Sequence, residues 1–231
     1  MLIAGFSKLS MLDYPGKLSA VIFAPYCNMR CWYCHNAQIL SGDVPLLPED
    51  YVMDYLEKRK NMLEGVVITG GEPTLRPDLL RFMEGIKALG YLVKLDTNGT
   101  SPKVVKSAIE RKLVNYIAMD IHAPESKMRE ISRTAVNMDD IKESVWLTMS
   151  SGVDYEFRTT FAPTLDSDDL LEIAEIIKGT KAFYLQQYRP VIPKEGERPV
   201  VAMPPAHSPE YVRQTAELVK EKLGTCEMRG L

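Results

Sequence analysis

Three of the four cysteines, Cys27, Cys31 and Cys34, fall within eight residues at the spacing C-x3-C-x2-C. They follow an apolar run over 18–24 that reads as a buried strand, so three thiols sit on a loop at a strand's C-terminal end. Thiolates bind soft metals and iron–sulfur clusters. Four would close a site, and three leave one metal position open. Two other chemistries use part of the stretch. A structural zinc site could take His35 as fourth ligand, but such sites usually pair these cysteines with a distant second pair that the chain lacks. A redox pair Cys31-Trp-Tyr-Cys34 would leave Cys27 unexplained.

The remaining chemistry-bearing residues recur where further strands should end. The run over 65–69 reads as a second buried strand, and those over 91–96, 115–120, 154–160 and 182–187 read as four more strands. They alternate with helices near 49–61, 77–89, from 102, 137–151, from 166 or 167 to 179, and 208–223. Six strand–helix units imply an α/β fold with a parallel sheet and right-handed crossovers, as an open sheet or an incomplete barrel. In both, chemistry gathers at the strands' C-terminal ends. Gly70-Gly71-Glu72-Pro73 follows the second strand and Asp96-Thr97-Asn98-Gly99 the third. Asp120 and His122 follow the fourth, Arg158 lies in the fifth, and Gln187 and Arg189 follow the sixth. Residues 1–17 read as an irregular lead-in with a turn at Asp13-Tyr14-Pro15-Gly16. Residues 123–136 show no clear periodicity, a proline-rich connection spans 190–205, and Cys226 reads as a tail residue.

At 231 residues the chain suits one domain, 1–231, with a six-strand core over 18–188. A formal charge of −3 argues against a general nucleic-acid binder. No stretch approaches the roughly 18 apolar residues of a membrane span, and the N-terminus lacks a signal peptide's basic region. Clustered cysteines point to a reducing cytoplasm.

The cysteine stretch, with Tyr33 before Cys34, together with Gly70-Gly71-Glu72-Pro73, resembles the radical S-adenosylmethionine (SAM) superfamily. Tyr33-Cys34-His35-Asn36, Asp96-Thr97-Asn98-Gly99, Met119-Asp120 and Phe157-Arg158 are similar to the glycyl-radical-enzyme activases. The opening, Gly5-Phe6 through Leu12-Asp13-Tyr14-Pro15-Gly16-Lys17, is similar to anaerobic ribonucleoside-triphosphate reductase activating proteins. The resemblance implies a partial (β/α)6 TIM-like barrel. It implies a [4Fe-4S] cluster on Cys27, Cys31 and Cys34, whose fourth iron takes S-adenosylmethionine. One electron would cleave the sulfonium, and the resulting 5′-deoxyadenosyl radical would abstract hydrogen from a backbone glycine of a partner enzyme. A flavodoxin or ferredoxin would supply the electron. Gly70, Gly71, Glu72 and Pro73 would contact the cofactor's methionine end, with the glycines allowing close backbone approach. Tyr33 would pack on the adenine side and Arg158 would bind the cofactor. Asp96, Thr97 and Asp120 would place a monovalent cation beside the cofactor carboxylate, with Asn98 and His122 in the same loops. His122 stands where the pyruvate formate-lyase activase has a lysine. Two alternatives remain open: a radical SAM enzyme of the deazapurine-synthase type acting on a small metabolite, and a zinc-bound interaction module.

Overall fold

The apolar runs Ser19–Ala24 and Gly65–Gly70 lack the in–out alternation of a half-exposed strand, and nearly every side chain in them is buried. That is the signature of strands covered on both faces. The structure, a computed structural model, describes residues 1–190 and 204–231, so most of the connection expected over 190–205 lies outside the described residues. The described strands are β1 (Gly5–Ser10), β2 (Ser19–Ala24), β3 (Gly65–Gly70), β4 (Leu92–Thr97), β5 (Tyr116–Asp120), β6 (Asp154–Phe161), β7 (Phe183–Gln187) and β8 (Glu227–Arg229). The α-helices are α1 (Glu49–Lys58), α2 (Leu79–Ala88), α3 (Pro102–Glu110), α4 (Glu125–Ser132), α5 (Met138–Ser150), α6 (Ser167–Ile176) and α7 (Pro209–Leu223). The expected strand–helix alternation is therefore present from β2 to α7.

The chain forms two compact units. The first comprises Met1–Asn28, Asn36–Met119 and Asn137–Tyr155. In it β2, β3, β4 and β5 pair in chain order and in parallel, with Ile22 opposite Ile68, Ile68 opposite Leu95, and Leu95 opposite Ile117. Tyr14, Val21 and Val67 pack with Phe23, Leu92 and Tyr116 into an apolar floor. Two expectations are corrected here. The lead-in is not irregular: β1 pairs antiparallel with β2. Its partner decides this, because the stretch from Gly5 to Ser10 has little apolar pattern of its own. Tyr14 is more than a turn residue, because it is buried and its ring fills the space beside Gly65, where a Cβ would lie 2.8 Å from Tyr14 Cδ2.

The second unit comprises Met29–His35, Asp120–Val136 and Glu156–Leu231. Here β6 pairs in parallel with β7, and β7 with β8. The segment without clear periodicity contains α4, which ends where Arg133 turns left-handed with φ 54°. The tail carries β8, three residues that pair with β7 and include Arg229. Asp166 caps α6 with a full capping box, and Ser208 with Pro209 starts α7.

Candidate active site

The cysteine loop leaves the end of β2 and is tied at both feet to the end of β3. Glu72 N–H donates to the Tyr26 carbonyl at 2.7 Å, and Gly71 N–H to the Ala24 carbonyl at 2.8 Å. Asn36 Nδ2 donates to the Gly70 carbonyl at 3.0 Å. The glycines make this possible. Gly70 has φ +117°, and an added Cβ there would lie 2.5 Å from Ala24 N, while one on Gly71 would collide with the Tyr26 carbonyl. The close backbone approach inferred for the two glycines is thus an approach of this chain to itself, holding the base of the loop.

Glu72 is buried and takes four hydrogen bonds. Oε1 accepts from Thr74 N–H (3.1 Å), Thr74 Oγ1 (2.6 Å) and Thr97 Oγ1 (2.7 Å), and Oε2 accepts from Asn98 N–H (2.7 Å). Burial pushes its carboxyl up, against the pull of those four donors. Pro73 opens the short 3-10 turn Pro73–Leu75 that supplies Thr74. Glu72 therefore joins the turn after β3 to the turn after β4. Asn98 carries the link onward: its Nδ2 lies 3.9 Å from Cys27 Sγ and donates to Asn28 Oδ1 at 3.0 Å. Asn28 Nδ2 in turn donates to Thr100 Oγ1 at 2.8 Å. Asp96, two residues along β4 from the buried Lys94, pairs with Lys94 Nζ at 2.6 Å.

In the second unit Cys34 N–H donates to the Cys31 carbonyl at 3.0 Å, closing a tight turn between those two thiols. Tyr33 is buried beside Trp32 and Tyr188, with ring centroids 5.4 and 6.4 Å away. Its hydroxyl lies 3.0 Å from His122 Nδ1. Burial raises the Tyr33 phenol well above its ordinary value, with Cys31, Asp120 and Cys34 adding to the effect. Burial lowers His122, opposed by the Asp120 carboxylate. Arg158 clamps Asp120 with two parallel bonds of 2.8 Å, Nε to Oδ1 and Nη2 to Oδ2. Behind it, the buried Glu156 lies 3.7 Å from Arg158 Nη1 and accepts two bonds from Arg229, at 2.9 and 2.8 Å. His35 Nε2 lies 3.1 Å from the Arg189 carbonyl, a structural contact.

The first unit thus gathers Cys27, Gly70, Gly71, Glu72, Pro73, Asp96, Thr97 and Asn98, and the second gathers Cys31, Tyr33, Cys34, Asp120, His122 and Arg158. Among the described residues no three His, Cys, Asp or Glu side chains form a closed metal site. The donor chemistry of the loop nevertheless fits an iron–sulfur cluster: three thiols on one short loop, partly accessible and none in a disulfide. Cys226 is of another kind, its thiol pushed up to about 12 by burial. Sequence reasoning missed Lys94, Glu156 and Arg229. Lys94 carried a signal, a basic side chain inside a mostly apolar strand.

The sequence pattern of the Radical SAM superfamily matches residues 21–177. A protein of Methanocaldococcus jannaschii named as a candidate glycyl-radical enzyme activating enzyme is 31% identical over 100% of this chain and 96% of its own length. Among solved structures, Streptococcus suis SuiB bound to S-adenosylmethionine matches 90% of the chain with TM-score 0.67 at 15% identity, and the match spans 51% of SuiB, about half its length. A domain of pyruvate-formate lyase-activating enzyme from Bacteroides vulgatus matches 72% of the chain and 99% of that domain, with TM-score 0.56 at 16% identity. These structures share the α/β fold of the partial barrel. With its cysteine loop, its glycine-anchored turn and this end-to-end agreement, the chain belongs to the radical SAM superfamily.

Proposed function

We propose that this radical SAM enzyme activates a glycyl radical enzyme, with anaerobic ribonucleoside-triphosphate reductase as the partner and a flavodoxin or ferredoxin as electron donor. The observation that carries the reading is the 31% identity, over 96% of its length, to a protein named as a candidate activating enzyme. The opening segment, from Gly5 to Lys17, favours the reductase among the possible partners. The reading treats residues 1–231 as one radical SAM domain. Membership of the superfamily implies a [4Fe-4S] cluster and S-adenosylmethionine. When bound, they supply a 5′-deoxyadenosyl radical that takes hydrogen from a glycine of the partner.

Within this reading Cys27, Cys31 and Cys34 hold the cluster. Gly70, Gly71, Glu72 and Pro73 hold the backbone edge that faces the cofactor's methionine end, and Glu72 fixes that edge through its four hydrogen bonds. Asp96, Thr97, Asn98, Asp120 and Arg158 present polar groups to the cofactor, with Arg158 held in orientation by Asp120. Tyr33 and His122 pair through hydroxyl and imidazole and keep water from that side.

The test is anaerobic reconstitution followed by reduction in the presence of S-adenosylmethionine and the reductase. 5′-Deoxyadenosine and a glycyl doublet in the electron paramagnetic resonance (EPR) spectrum of the reductase are expected. Cofactor cleavage with no doublet on the reductase, or on any other glycyl radical enzyme offered, overturns the reading.

A further inference from the structure

We infer that Lys94 serves as a built-in cation for Asp96, so that cofactor binding at this loop needs no external monovalent ion. The inference rests on the assignment of Asp96 to the cofactor site. Lys94 and Asp96 are two residues apart on β4, so their side chains leave the same face of the strand. Lys94 is 2% exposed and Asp96 14%, and Nζ lies 2.6 Å from Oδ1. The Lys94 stem crosses the apolar floor. Tyr116 is its register partner on β5, the ammonium stands 5.9 Å from that ring's centroid, and Tyr116 packs on Tyr14 at 5.8 Å. A lysine buried this deeply is kept only where a counter-charge meets it, and here the counter-charge is the carboxylate at the strand's C-terminal end.

The neighbouring hydroxyl has its proton engaged too. Thr97 Oγ1 donates to Glu72 Oε1 at 2.7 Å and accepts from Gly99 N–H at 3.2 Å. A free alkali ion drawing on Asp96 Oδ1 would have to compete with the Lys94 ammonium already 2.6 Å from it. Lys94 is therefore a positioning residue. It balances Asp96 and fixes its rotamer from below, leaving the strand's C-terminal side for the ligand.

The test compares KCl, NaCl and choline chloride at equal ionic strength. In the reconstituted enzyme, S-adenosylmethionine affinity is read from its perturbation of the reduced cluster's EPR spectrum. The wild type should bind equally in all three salts. Lys94→Met should lose about tenfold to a hundredfold in choline, the worth of one charge-assisted bond, and regain most of it in K+ or Na+. In the cluster-free chain, the melting temperature of Lys94→Met should rise in KCl over choline chloride, while that of the wild type should not. Lys94→Arg keeps a charge and should stay indifferent to the salt, which serves if Lys94→Met folds poorly. Wild-type affinity that falls tenfold in choline overturns the inference, as does Lys94→Met binding normally there. None of these readings involves the partner enzyme. Salt indifference with cofactor cleavage but no glycyl doublet would sink the activase reading and leave this one standing.

Discussion

Replacing Glu72 by glutamine tests whether the carboxylate is the bolt between the turns after β3 and β4. The amide oxygen can keep the place of Oε1 and its three donors, but the amide nitrogen then faces the Asn98 N–H that Oε2 accepted at 2.7 Å. One hydrogen bond to a charged group is lost, about 1.5–3 kcal/mol. The three retained bonds weaken toward neutral strength, while the cost of burying a charge disappears. These changes partly cancel, so the net loss should be about 2–3 kcal/mol, or about 5–10 °C in melting temperature for a chain of this size. Glu72→Ala leaves the N–H groups of Thr74 and Asn98 without their acceptor and should cost about 3–5 kcal/mol. Urea denaturation of the cluster-free chain gives the stability. Iron and sulfide per chain after reconstitution report the cysteine loop, whose foot at Tyr26 hangs on Glu72 N–H. If Glu72→Gln changes stability by less than about 0.5 kcal/mol, within the range of an ordinary surface substitution, and iron loading is unchanged, the bolt is not there.

Asn98→Ala removes the amide beside Cys27 Sγ. Donors to cluster sulfurs favour the reduced, more negative state, so the reduction potential in a titration followed by EPR should fall; a rise contradicts the contact. Arg229→Ala removes two hydrogen bonds from the buried Glu156, which lies 3.7 Å from Arg158. Solvent at the Arg229 end moderates the cost to about 2 kcal/mol. S-Adenosylmethionine affinity should weaken as Arg158 turns from Asp120 toward Glu156, with partial rescue by added guanidinium and none by sodium. His122 has a lowered folded-state pKa, so its contribution to stability is present above the unfolded value of about 6.5 and is lost as pH falls through the folded one. Melting temperature should drop more steeply below about pH 6.5 in the wild type than in His122→Gln, and parallel curves would refute the burial argument.

The parallel strands from β2 to β7 were legible because an apolar run bounded by glycine or proline has few other uses, and the polar groups at their C-terminal ends stood out by residue type. What escaped was structure imposed by a neighbour. β1 owes its existence to the edge of β2, and β8 is too short to show a period. The glycines after β3 were correctly read as allowing close approach, but sequence cannot say what approaches. The Tyr26 carbonyl occupies the space, and the motif acts first as the anchor of the cysteine loop. Arg158 was assigned to the cofactor by resemblance. The structure shows an inward pairing with Asp120 that this role must accommodate.

The residues missed share a geometry. Lys94 stands two positions before Asp96 on β4, and Glu156 two positions before Arg158 on β6. In each case a charge of opposite sign occupies the same strand face one step nearer the N-terminal end. For Lys94 and Asp96 the period of two makes this a cheap way to neutralise a buried charge, since backbone already held in the sheet fixes the two Cβ atoms in register; at Arg158 the direct bonds come from Asp120, and Glu156 adds a longer contact. A counter-charge on a loop would add ordering entropy of its own. It also explains why each supporting residue is more buried than the residue it serves: Lys94 at 2% against Asp96 at 14%, and Glu156 at 1% against Arg158 at 13%. In each pair the upstream charge is the more enclosed of the two. On the cofactor assignments proposed above, a lone charge two residues upstream of a polar strand terminus, as Lys94 is of Asp96, is a readable sign of a site residue held from below.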